Sequence, residues 1–157
     1  MRILVDADAC TVKQIIVRIG KQMKIPVTMF IDTSHVINDG YSTVIAVDKE
    51  ADSVDFALIG TLSKEDIVVS QDFGVAAMAL GKGAKAINQN GMLYTNENID
   101  RLLMERHVSK KICRGGGKTK GPAKRTKEDE AHFEVVFEKL LLETIIANDT
   151  GGNHGNL

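Results

Sequence analysis

The chain is poor in the features that usually give a first reading. It has two cysteines in 157 residues, Cys10 and Cys113, far apart and not in a CxxC pair. Neither a disulfide framework nor a cysteine-based zinc site is indicated. No apolar run reaches the length of about eighteen residues that a membrane helix requires, so no membrane contact is expected. Charge arrives early, at Arg2, Asp6 and Asp8, which does not suit a signal peptide, and the expected location is cytoplasmic. The four histidines form no HxH or HxxxH pair. His35 and His107 read as single polar residues, and His154 lies near the end. There is no internal repeat.

One segment lacks negative charge altogether. Nine of the twenty Lys and Arg residues lie between Arg106 and Lys127, where no Asp or Glu stands, although the whole chain has a formal charge of -1. A basic block in an otherwise acidic protein points to an anionic partner, RNA or DNA first. The plainer alternative is a solvated surface loop.

What is present is a regular alternation of short apolar runs and helical stripes. Strands are expected at 2–6, 26–31, 43–47, 67–70 and 84–88. Helices are expected at 11–24, where Val12, Ile15, Ile16, Ile19 and Met23 form one stripe, then at 51–60, 73–81 and 96–111. A final amphipathic helix over 127–147 opens with a capping-box pattern, Thr126-x-x-Asp129. Residues 32–42 and the glycine- and cation-rich 112–126 read as loops, and 148–157 as a frayed tail. Length and pattern fit one domain over 1–147. The fold class is α/β, a mainly parallel sheet with helices on both faces, followed by the basic loop and the last helix. In such sheets ligands bind beyond the carboxyl ends of the strands, where strand order reverses.

Acids gather at that expected edge. Asp6 and Asp8 follow the first strand in DADAC, and Asp72 follows IVVS. Asp52 and Asp55 share one face at the start of a helix. One or two of these carboxylates could cap helices, but four in one cleft would repel unless a cation sat among them. Mg²⁺ or Mn²⁺ suits oxygen ligands and would activate water for attack on a phosphodiester.

These residues carry a resemblance. VDADAC, ADSVDFALI, VVSQDFGVAAMALGKGA, NQNGMLYTNENID and RGGGKTKGPAKRT together resemble the uncharacterised bacterial YaiI/YqxD family of PIN-like proteins over roughly residues 1–135. The resemblance implies a three-layer α/β/α domain related to metal-dependent RNases. It puts Asp6 at the first-strand acid of PIN nucleases, Asp72 at the fourth-strand acid, and Asp55 or Asp52 at the intervening helix acid. It implies no substrate. Two positions depart from the family pattern. Thr11 stands where proline usually opens the helix, a place that suits proline, and offers a hydroxyl there. Cys113 stands where a second arginine is usual, which removes a cation beside Arg114.

Other motifs are weaker. DADAC also resembles the DxD opening of haloacid-dehalogenase-type phosphatases, with Asp6 as nucleophile and Asp8 as acid/base, but Ala9 replaces the glycine usual after the second Asp. GGGKT is not a P-loop, because Ile112 occupies the first glycine position and no strand precedes it. Its amides and cations suit a phosphate cradle. Cys10 reads as a buried thiol, since two adjacent carboxylates oppose its ionisation. The turn at Asn88-Gln89-Asn90-Gly91 reads as self-bonded, and Asn38 and Asp39 are treated alike.

The expected function is therefore a divalent-metal-dependent nuclease acting on RNA. Asp6, Asp8 and Asp72 are the catalytic candidates. Asp6, Asp8, Asp52, Asp55 and Asp72 are the metal candidates. Lys110, Lys111, Arg114, Lys118, Lys120, Lys124 and Arg125 would hold phosphates. A non-catalytic nucleic-acid-binding protein on the same scaffold and the phosphatase remain the alternatives. The sequence leaves self-association open.

Overall fold

The strand ILVD forms β1 (Ile3–Asp6) at the centre of a five-stranded sheet, with β2 (Val27–Asp32) on one side and β4 (Ile67–Val69) on the other. The strand order is β3-β2-β1-β4-β5, with β3 (Thr43–Val47) and β5 (Lys85–Ile87) at the edges, and every strand pairing is parallel. This computed structural model describes residues 1–8, 10–50, 52–114 and 126–154, and the side chains of 106–114 and 150–154 lie outside the description.

The period of two along each strand sorts side chains between two cores. Ile3, Val5, Met29, Ile31, Ile67 and Val69 face one way, into a cluster closed by Ile16 and Ile19 of α1 (Lys13–Met23) and by Phe133, Phe137 and Leu141 of α5 (Lys127–His154). Phe133 and Phe137 stack there with ring centroids 5.0 Å apart. Leu4, Phe30, Val68 and Ala86 face the other way, into a cluster closed by α2 (Ser53–Thr61), α3 (Phe73–Gly81) and α4 (Asn96–Arg114). The result is a three-layer α/β/α sandwich of the PIN-like kind. No helix among the described residues is long and apolar enough to cross a membrane.

Local chemistry sets the element ends. The α1 helix stops at Lys24, whose left-handed backbone (φ 58°) lets its N–H reach the carbonyls of Gly20 and Lys21. Gly20 lets α1 approach β2, since a Cβ there would lie 2.8 Å from Val27 Cγ2. The box at the start of α5 is present: Thr126 N–H donates to Asp129 Oδ2 at 2.9 Å, and Asp129 N–H donates to Thr126 Oγ1 at 3.3 Å. Thr95 and Asn98 build the same reciprocal pair before α4, at 2.8 and 3.1 Å.

Most boundaries shift by one or two residues from the sequence reading, and three of the differences bear on the site or the loops around it. The second strand extends to Asp32, because β3 pairs along its whole length through Asp32 and Val47. The α4 helix continues through Ile112 to Arg114 rather than yielding to loop at 112, and the side chains of Lys110, Lys111 and Arg114 lie outside the described residues. The α5 helix reaches His154, since adding a residue to a long helix fixes little and gains a hydrogen bond. Residues 115–125, with Lys118, Lys120, Lys124 and Arg125, lie outside the described residues.

Candidate metal centre

The chain winds outward from β1 through β2 to β3, then crosses back to β4 on the other side of β1. The strand order therefore reverses between β1 and β4, and the crevice at their carboxyl ends is where such a sheet takes a ligand. Asp6 closes β1 at that point. Its Oδ2 accepts a hydrogen bond from Ser70 Oγ at 3.1 Å, and Ser70, the residue after β4, is fully buried.

Ser70 ties the crevice together. Its Oγ also accepts the Asp72 N–H at 3.0 Å, and its carbonyl accepts the Tyr94 hydroxyl at 3.1 Å. The Asp6 carboxyl is pushed above its ordinary pKa, chiefly by burial, with the Asp72 and Asp8 charges adding and the Ser70 bond opposing. Burial, then the Asp72 charge, pushes Tyr94 up to about 12. An acid held this way has more negative neighbours than it can offset, a condition that a cation would relieve.

Asp72 has two roles. It caps α3, with Oδ1 accepting from Gly74 N–H at 2.7 Å and Val75 N–H at 3.2 Å, and its charge is felt by Asp6 and Tyr94. Asp52 and Asp55 join Asp72 in lining a cleft of about 250 Å³, together with Phe56, Gly74 and Met78. Asp52 is at the N-cap position of α2 but makes no side-chain capping bond, and its backbone is left-handed (φ 67°), a conformation that Asp tolerates better than most residues.

Asp8 faces another way. Its two oxygens lie 3.1 and 3.3 Å from the Asp32 N–H, and its Oδ1 lies 2.9 Å from His35 Nδ1. Asp8, Asp32 and His35 each offer one ligand atom, all within 4.8 Å of one another. Asp32 is held below its ordinary pKa, first by the Ser34 hydroxyl and amide and then by His35. Asp6 feels the charges of both Asp72 and Asp8, and Asp72 shares a cleft with Asp52 and Asp55, while Asp8 also bonds at the carboxyl end of β2. The all-oxygen group suits Mg²⁺ or Mn²⁺, while an imidazole with two carboxylates suits Mn²⁺ or Zn²⁺ better.

Sequence reasoning passed over Asp32 and Ser70 and read His35 as a single polar residue. Asp32 carries the same signal as Asp6, since MFID ends its strand on an acid as ILVD does. His35 follows three residues later on a loop, where spacing alone says nothing about a partner. The Thr11 hydroxyl does not serve the start of α1: Thr11 N–H and Oγ1 donate to Gln89 Oε1 at 3.0 and 2.9 Å, and Val12 is an N-cap without a side-chain bond. The amide-rich turn is self-bonded, with Asn88 Oδ1 accepting from the N–H groups of Asn90 and Met92, each at 2.9 Å. Cys10 is buried in the core beside β1.

Comparison with known proteins adds kinship without chemistry. Residues 4–143 match the sequence model of a family described as uncharacterized, YaiI/YqxD. A UPF0178 protein of Ruminiclostridium cellulolyticum is 62% identical over 142 residues, covering 90% of each chain. Another, from Clostridium acetobutylicum, is 55% identical over 144 residues, covering 90% of this chain and 97% of the relative. A third, from Exiguobacterium sibiricum, is 46% identical over 143 residues, 91% and 98% of the two chains. No solved structure matches.

Proposed function

The chain belongs to the YaiI/YqxD family, and from that premise we propose that it is a divalent-metal-dependent nuclease acting on RNA. The observation that carries this reading is Asp6: a half-buried carboxylate at the reversal point of a parallel sheet, hydrogen-bonded to Ser70 and surrounded by the charges of Asp72 and Asp8. Asp6 and Asp72 would hold Mg²⁺ or Mn²⁺, with Asp52 and Asp55 on the rim of the adjoining cleft. A bound ion would supply Lewis acidity and make a water easier to deprotonate, giving the nucleophile for phosphorus. Ser70 fixes the Asp6 oxygen that it touches, and the Asp72 cap fixes its carboxylate against α3. Asp8 orients the Asp32 end of β2. The cations between Arg106 and Lys127 would hold backbone phosphates, and the acting location would be the cytoplasm.

Cleavage of labelled single-stranded RNA in Mn²⁺, compared among wild type, Asp6→Asn and Asp72→Asn, tests this reading. Loss of cleavage in both variants is expected, and equal rates in all three would overturn it. The phosphatase alternative needs Asp8 beside Asp6 as acid/base, whereas the Asp8 carboxylate accepts the Asp32 amide and faces His35. Inertness toward an aryl phosphate is expected. A non-catalytic binding protein would show salt-sensitive RNA binding without turnover.

A further inference from the structure

The cleft that holds Asp52, Asp55 and Asp72 has an apolar lip that the metal chemistry does not use. Phe56 of α2 is 73% exposed, and Met78 of α3 across the cleft is 45% exposed. All five phenylalanines are described. Phe30, Phe133 and Phe137 are fully buried, and Phe73 packs against the core and, edge-on, against Tyr94. Phe56 alone stands mostly in water. Its position follows from that of the acids: it comes directly after Asp55 and one helical turn after Asp52, whose carbonyl accepts its N–H at 2.9 Å, so the same turn of α2 presents two carboxylates and one ring.

The acids restrict what can cover that ring. An apolar protein surface seated on Phe56 would bury three carboxylates with it, at a cost that no partner cation offsets. A nucleotide meets both halves of the cleft, because its phosphate can share a cation with the carboxylates while its base offers a flat π-face to the ring. In a duplex the faces of each base are covered by its neighbours in the stack, so the ring can serve only an unpaired base.

We propose that Phe56 is a stacking platform for an unpaired nucleobase and restricts the site to single-stranded nucleic acid. The inference rests on the nuclease reading for the location of the phosphate, but it concerns binding and is tested without turnover. Fluorescence anisotropy of a labelled single-stranded RNA, and of the same RNA in a duplex, is measured in Ca²⁺, a hard cation that takes the same oxygen ligands, with strand integrity checked on a gel, for full-length wild type, Phe56→Ala, Phe56→Leu and Phe56→Trp. Phe56→Ala should weaken single-strand binding roughly 5- to 150-fold, with Phe56→Leu close to it and Phe56→Trp at least equal to wild type. Duplex binding should be the same for all four. The chain has no tryptophan of its own, so Phe56→Trp also adds a single emitter whose fluorescence should fall as strand is added.

Absence of wild-type binding to the single strand overturns the inference. So does an unchanged affinity in Phe56→Ala, full rescue by leucine, equal losses on duplex, or a change in sedimentation in place of the affinity change. The two readings fail separately. Phe56-dependent binding without Mn²⁺-dependent cleavage removes the nuclease and keeps the platform, whereas cleavage with binding indifferent to Phe56 does the reverse.

Discussion

Ser70 Oγ lies 3.1 Å from Asp6 Oδ2, and this single bond joins the carboxyl ends of β1 and β4 where the sheet reverses its winding. It holds the Asp6 carboxylate in a place that the carboxylate would leave if water alone decided.

Asp6 should therefore cost stability when ionised. Its folded pKa is raised above the ordinary 3.8, so the fold favours the protonated form. That stabilisation is whole below the ordinary carboxylate range and is lost as pH rises through the raised value. Asp6→Asn should melt higher than wild type at pH 7, with the advantage vanishing toward pH 3. Calorimetry across that range checks it, and an advantage constant with pH would contradict the burial account.

Asp72→Asn should separate capping from charge. An asparagine oxygen can still accept from Gly74 and Val75, and Asn and Asp are comparable N-caps, so metal-free stability should change little, whereas Asp72→Ala should lose about 1 kcal/mol. Mn²⁺ at a hundredfold excess over its dissociation constant should add about 2.7 kcal/mol to wild type and nothing to either variant. Urea titrations with and without Mn²⁺ measure all three.

The basic segment should bind RNA by charge and not by sequence. Changing Lys118, Lys120, Lys124 and Arg125 together to glutamine should lower affinity for any single strand and flatten the salt dependence by about three in log–log slope. An unaltered slope would assign those cations to solvent.

The opposite edge of the sheet should matter to stability alone. Asp66, 3% exposed, accepts from the Arg2 and Ser63 N–H groups at 3.0 and 2.9 Å and from the Arg2 guanidinium at 2.7 Å. Asp66→Ala should cost about 3 kcal/mol, the size of one or two charge-assisted bonds, read by urea denaturation. RNA affinity measured below the melting range should be unchanged.

Gly91 should tolerate no side chain. It has φ 87°, and a Cβ there would lie 2.7 Å from His132 Nδ1 and 3.2 Å from the His132 carbonyl. Gly91→Ala is expected to cost about 1–3 kcal/mol and to break the contact between His132 Nδ1 and the Asn90 carbonyl at 2.7 Å, visible as a shifted His132 resonance.

The fold was legible because its signals are local. Alternation in ILVD, MFID and IVV sorts each residue to a face, and a capping box such as Thr126 with Asp129 needs only four residues. The acid edge was half legible. Strand-end acids mark the edge but not their directions, so Asp8 turning to Asp32 and His35 could not be read from spacing. Phe56 was illegible for a different reason: the apolar residues of SVDFALIGT fall on several sides of the helix, and which of them stays in water depends on how α2 lies against β1, β2 and α3. Thr11 misled because its hydroxyl finds Gln89, a partner 78 residues away, before any local amide.

The stacked pair Phe133–Phe137 has a consequence in time. The acids from Asp6 to Asp72 are synthesised in the first half of the chain, yet the layer that seals the sheet beneath them arrives with residues 133–141. At roughly 5–20 residues per second, about 3–14 s separate the two on the ribosome. During that interval the emerging chain carries its full complement of edge acids on a sheet with one face only partly covered by α1. The core beneath the acid edge can therefore close only once nearly all of the chain has been made.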